Sequence, residues 1–202
     1  MEKITGTSLI LILLAAGTCL PFPAHLRAAE QVVVRRKASE AYLHPETGLT
    51  FPARVETFEK VMVRVNPDPE IGVSVSYENE AGSLADVYIY RNADPFDEHA
   101  EKTFRRILDA PKKSALIRSC EALDEPENAE GVFIARFRMT VEGETLISRL
   151  ILFRQNGCYV KIRITNPETA EPDGESEPRF AEAILTQKDK MEKPTITSGA
   201  EK

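Results

Sequence analysis

Residues 132–165 read VFIARFRMTVEGETLISRLILFRQNGCYVKIRIT. In the first ten, Phe133, Ala135, Phe137, Met139 and Val141 alternate with Arg136, Arg138 and Thr140. That two-residue period belongs to a strand with one dry face and one wet face. Glu142-Gly143-Glu144 joins it to a second strand, Thr145 to Phe153. Asn156-Gly157 then supplies two residues that tolerate the positive φ of a type I′ hairpin turn. A third strand, Cys158 to Thr165, follows, with Val160, Ile162 and Ile164 pointing inward. Three strands joined by tight turns make an antiparallel meander.

Upstream, Ala115 to Glu121 extends this meander, and Asp94-Pro95 opens a helix with a capping carboxylate and a proline in the first turn. Phe96, Ala100, Phe104, Ile107 and Leu108 share one side of that helix, which Pro111 ends. Further upstream lies another meander. Val61, Val63 and Val65 share a face of its first strand, and Ile71, Val73, Val75 and Tyr77 share a face of its second. Asn66-Pro67-Asp68-Pro69 turns between them, and Ala85 to Arg91 forms its third strand. Downstream, Glu177 to about Gln187 makes a closing helix with Phe180, Ala183, Ile184 and Gln187 along one side. The expected class is α+β, with a central antiparallel sheet of about six or seven strands.

The ends assign a compartment. Lys3 gives a positive start, Ile4 to Leu20 is almost wholly apolar, and Ala24, Ala28 and Ala29 are small, the three parts of an export signal. Cleavage is expected near Ala28, releasing a periplasmic or extracellular protein. The alternatives are a membrane anchor made by the uncleaved segment and a lipid-modified Cys19. Residues 1–28 are thus read as signal, 29–46 as a polar lead, 47–187 as one domain and 188–202 as a disordered tail. Removing Lys3, Arg27 and Glu2 from 26 basic and 32 acidic side chains leaves a net charge of about −7, which opposes nucleic acid. Arg35, Arg36 and Lys37 form one small basic cluster rather than a binding stripe.

Two cysteines remain after such cleavage, Cys120 and Cys158. In an oxidising compartment they are expected to form a disulfide; the alternative is two separate buried thiols. His44 and His99 have no metal-spaced partner, and neither His-x-x-x-His nor Gly-x-Ser-x-Gly occurs. His99 is expected at a helix surface or boundary. Two acidic stretches, Glu121 to Glu130 and Glu168 to Glu177, offer oxygens to calcium but lack an EF-hand spacing. Tyr88 and Tyr90 share one face of their strand, as an aromatic patch or as part of a central buried strand. Arg136, Arg138, Arg149, Lys161 and Arg163 lie on neighbouring strands and are expected to form a common basic face for an anion or an acidic partner.

The order meander, helix, meander, terminal helix, entered through Gly48-Leu49-Thr50-Phe51-Pro52 and left through Tyr159-Val160-Lys161-Ile162-Arg163-Ile164 into the Phe180 helix, resembles the PsbP-like fold. That fold is named for an extrinsic subunit of photosystem II and occurs in bacterial envelope proteins. The resemblance spans roughly Thr47 to Gln187 and implies an α/β/α sandwich. It carries over no site residue. The expected role is a non-enzymatic envelope accessory or protein-binding module, without a cofactor, whose partner is another envelope protein. The alternatives are a small-molecule or calcium-binding protein and a hydrolase with no recognisable motif.

Overall fold

Asn156 and Gly157 take φ of 48° and 80°, Glu142 and Gly143 take 50° and 94°, and Glu130 and Gly131 take 52° and 73°. Three successive two-residue turns with both φ positive match the right-handed twist of the strands they join. They fold the second half of the chain into one ribbon. The computed structural model describes residues 39–169 and 176–192. In chain order the elements are β1 (Tyr42–Leu43), β2 (Thr50–Phe51), β3 (Arg54–Val55), β4 (Phe58–Val65), β5 (Val73–Glu78), β6 (Leu84–Tyr90), α1 (Phe96–Leu108), a 3₁₀ turn (Ala110–Lys112), β7 (Ile117–Ala122), β8 (Glu127–Ala129), β9 (Val132–Val141), β10 (Glu144–Gln155), β11 (Cys158–Pro167) and α2 (Ser176–Glu192).

β1 and β2 pair with each other, and the other strands form one sheet in the order β3-β4-β5-β6-β11-β10-β9-β7, with β8 also on β9. All pairings are antiparallel. The α+β class holds, but the sheet has nine strands rather than six or seven. The additions are β3 and β8, too short to show any period. The two meanders meet where β6 pairs with β11, Ile89 opposite Val160.

Each face of this sheet carries one helix. Val63, Val75, Tyr77, Val87, Ile89, Ile151, Phe153, Val160 and Ile162 pack under Phe180, Ala181 and Ile184 of α2. On the opposite face Phe133, Phe137, Met139, Leu150, Leu152 and Tyr159 pack under Ala100 and Phe104 of α1. The first is hereafter the α2 face and the second the α1 face.

Several local expectations change. A bulge between Lys60 and Met62 breaks the phase of β4, so Val61 is exposed and the side chains buried there are Phe58, Lys60 and Val63. Lys60 donates from Nζ to the carbonyl oxygens of Phe51 and Glu40, which removes the cost of an unbonded buried amine. Ile71 is exposed because β5 begins only at Val73. No side chain caps α1; its N-cap residue is Pro95, and Asp94 bonds Lys102 instead. The lead contributes to the core, since Tyr42 is buried and its ring lies 6.2 Å from that of Phe51. α2 continues to Glu192 instead of ending near Gln187. The export signal, Cys19, Arg35, Arg36, Lys37 and residues 193–202 lie outside the described residues.

Cys120 and Cys158 are free, and the register explains why. Cys120 lies opposite Met139, Met139 opposite Leu146, and Leu146 opposite Pro167. Cys158 begins β11 and Pro167 ends it, so the two thiols are roughly 30 Å apart along the strand direction. They also face opposite sides: Cys158 packs in the α2-face core and Cys120 against the α1-face core. A disulfide needs Cα atoms within about 7 Å.

Candidate functional site

Antiparallel pairing puts directly opposed residues on one face, so the register draws two rows across the α1 face. One runs Arg64, Ser74, Tyr88, Lys161, Leu152, Phe133; the next runs Met62, Ser76, Asp86, Arg163, Leu150, Ala135. Each row is mainly polar over β4, β5, β6 and β11 and becomes apolar at β10 and β9. α1 packs on the apolar end. The polar end is a floor beside the helix, and His99, Thr103 and Arg106 line the flank of α1 at spacings that put them on one helical face.

Lys161 stands on β11, where that floor meets the apolar end. Its Nζ lies 4.2 Å from the centre of the Tyr88 ring and 6.0 Å from that of Tyr90, within cation–π reach. Among the described residues no oxygen accepts a hydrogen bond from it and no carboxylate pairs with it. Burial, and then the charges of Arg163 and Arg106, push its pKa down to about 8, with Asp86 opposing only in part. Arg163 bonds the Ser148 hydroxyl and the Met139 sulfur, both at 3.0 Å, and Arg64 bonds the Met62 sulfur. Neither meets a carboxylate.

The one acid on this floor is Asp86, which accepts a 2.5 Å hydrogen bond from Ser76 Oγ. Burial raises its pKa, and Ser76, Arg163, Lys161 and Arg64 pull it back only in part. An acid whose pKa is raised in the fold binds more protons folded than unfolded, so its contribution to stability falls as pH rises through the folded value. Asp86→Asn is therefore expected to stabilise the domain at pH 7 by on the order of 1 kcal/mol. In urea unfolding at several pH values the gain should shrink as pH falls and vanish below about pH 3, where the carboxyl is protonated in the unfolded chain as well. A gain that is independent of pH would show that its charge is not what is costly.

The wall is also ordered. His99 is buried rather than at a helix surface, its Nε2 2.8 Å from Tyr90 Oη and its Nδ1 3.9 Å from Asp94. Burial lowers its pKa. The neutral ring satisfies both contacts if Tyr90 donates to Nε2 and Nδ1–H points toward Asp94. Tyr159 stacks beside them, its ring 4.3 Å from His99 and 6.0 Å from Tyr90. Tyr88 and Tyr90 are thus half-buried at the margin of the helix.

The five basic residues expected on a common face are divided by the register. Arg149 lies opposite Arg136, and Arg138 opposite Ile147, all on the α2 face. Lys161 and Arg163 lie opposite Leu152 and Leu150, on the α1 face. The α2-face group is already paired: Arg136 with Asp124 at 3.2 Å, Arg138 with Glu121 at 3.2 Å and Glu168 at 3.1 Å, Arg149 with Glu177 at 4.0 Å. These four acids are among those that offered a calcium site, and among the described residues no three metal-ligating side chains converge. Glu171, Asp173 and Glu175 lie outside the described residues.

His44 is buried and bonded to Thr47. A shallow cleft at the turn end of the sheet is lined by Pro69, Glu70, Arg91, Asn92, Ala93, Asn156 and Gly157, and its one arginine is committed to Glu46 at 3.0 Å. Asp86, Arg64, His99 and Arg106 escape a reading of the sequence as site residues. The signal is present in Ser74 and Ser76, Asp86 and Tyr88, and Lys161 and Arg163, each pair in the polar phase of its strand. It becomes legible only once β6 is known to pair with β11.

No family model matches this chain, and no curated protein matches it. Among solved structures it aligns with PA94, a protein of unknown function from Pseudomonas aeruginosa, over 72% of this chain and 93% of that one. The identity is 16% and the TM-score 0.39. A likeness at that level assigns neither function nor fold family.

Proposed function

We propose that this chain is an exported, non-enzymatic binding protein with a PsbP-like α/β/α sandwich, and that it takes up a small anionic ligand in the angle between α1 and the open floor of β4–β6 and β11. The observation that carries the reading is the Lys161 ammonium, set on the Tyr88 and Tyr90 rings with no carboxylate partner among the described residues. Arg163, two residues along the strand, and Arg64, at the far end of the same row, form no ion pair among the described residues, and Asp86 is the single acid whose charge acts on all three. In an acidic protein this is a local excess of positive charge, three cations against the one acid Asp86, and low-dielectric walls concentrate its field. The half-buried aromatic floor supplies contact area for an apolar ligand body. A protein partner on Arg136 and Arg138 is the weaker reading, because binding there would first have to break ion pairs already made.

Titration with inorganic phosphate and with small carboxylates at pH 7, followed by thermal unfolding, tests the proposal. An anion at about 100 times its dissociation constant should raise the melting temperature by roughly 5–10 °C. Lys161→Met should weaken binding about tenfold or more, while Arg136→Glu with Arg138→Glu leaves it intact. A flat response in the wild type, or loss only in the Arg136/Arg138 variant, would return the role to a protein-binding module.

A further inference from the structure

The geometry of the floor points further. We propose that Lys161 is a reactive amine that captures an anionic aldehyde or 2-oxo acid reversibly, as an imine on Nζ. The inference rests on the anion-binding reading and names the chemistry of its ligand. Lysines that serve only to hold a charge are usually met by carboxylates or carbonyls, as Lys60 is by Phe51 and Glu40 and Lys102 by Asp94 and Glu98. Among the described residues Lys161 has no such acceptor, its Nζ lies against an aromatic face, and the charges that act on it are those of the cations Arg163 and Arg106, opposed in part by Asp86. Burial and these cations favour the neutral amine, the nucleophilic form, and outweigh the attraction of the ring faces for the ammonium. The same cations, with Arg64 in the same row across the sheet, suit the carboxylate or phosphate of a ligand whose carbonyl reaches Nζ.

The step needs no oxidant or reductant. The amine lone pair adds to the carbonyl carbon, the C=O π pair moves to oxygen, and that oxygen takes up a proton to give a carbinolamine. Loss of water then leaves the protonated imine, and water reverses the sequence. Asp86 lies diagonally from Lys161 across the β6–β11 pair, where its carboxylate can carry the nitrogen's proton to the departing hydroxyl.

The test treats the full chain with glyoxylate, an aldehyde bearing a carboxylate, and cyanoborohydride at pH 8, and maps the modified lysines by peptide mass. Lys161 should be modified about tenfold or more faster than the exposed Lys102, Lys112 and Lys113, because burial and its neighbouring cations lower its pKa to about 8. Inorganic phosphate should slow it. Lys161→Arg should abolish the fast modification and keep the thermal stabilisation by phosphate. Phosphate stabilisation with Lys161 no more reactive than the exposed lysines would overturn the amine while leaving anion binding in place. Absence of both effects would overturn the two together.

Discussion

Gly72→Ala is expected to destabilise the domain by roughly 3–5 kcal/mol, a large share of the ~5–15 kcal/mol that an ordinary domain has. Two effects coincide at this residue. Its φ is +67°, a conformation that costs a side-chain-bearing residue on the order of 1 kcal/mol or more. A Cβ built there would also sit 1.9 Å from the carbonyl oxygen of Ile89 and 2.9 Å from the Cα of Tyr90. Both are backbone atoms of β6, the strand that carries Asp86, Tyr88 and Tyr90, so no side-chain rotation relieves the clash. Gly72 also accepts the amide of Asn66 and donates to Asp68, which pins the β4–β5 turn against that strand. Gly143, at φ +94° with open space around it, separates the two effects: Gly143→Ala should cost only about 1 kcal/mol. Urea unfolding of both variants is the measurement. Equal losses would mean that backbone conformation alone, and not the approach to β6, makes Gly72 necessary.

The second large effect is expected at Phe180. It is fully buried, its ring 5.0 Å from Phe58 and 5.2 Å from Tyr77. With Ile184 it is the means by which α2 covers the α2 face. Removing a buried phenyl ring forfeits its transfer free energy and leaves a cavity that β4 and β5 cannot fill, so Phe180→Ala should cost about 3–5 kcal/mol. Hydrogen exchange should locate the damage, with α2 amides losing protection more than those of β9 and β10. A cost below about 1 kcal/mol would contradict the docking of α2 on the sheet.

Most of the architecture was legible where the period was long. β9, β10 and β11 announce themselves through unbroken alternation and through Asn156-Gly157, whose positive φ values the turn requires. α1 is legible from Phe96, Ala100 and Phe104. β3 and β8, two and three residues long, have no period to read. At Lys60 and Met62 the bulge shifts every later side chain of β4 to the other phase, and no local residue pattern marks it. The site fared worse than the fold for one reason. Arg149 and Lys161 both look like wet-face residues, but whether they share a face depends on whether Lys161 opposes Leu152 or its neighbour. One residue of register decides that, as it also decides that Cys120 and Cys158 face opposite sides of the sheet.

The seam between β6 and β11 has a kinetic meaning. Each meander closes through tight turns between near neighbours, whereas Ile89 finds Val160 only across the whole of α1 and β7–β10. Contacts so distant in the chain carry a large loop-closure entropy and form late. Lys161 stands on one side of that seam, with Tyr88 and Asp86 on the other. No partly folded chain and no fragment cut between Arg91 and Gln155 can hold the three together. Occupancy of the site would thereby report that both meanders are folded and joined, and a ligand bound there would hold the two halves of the molecule together.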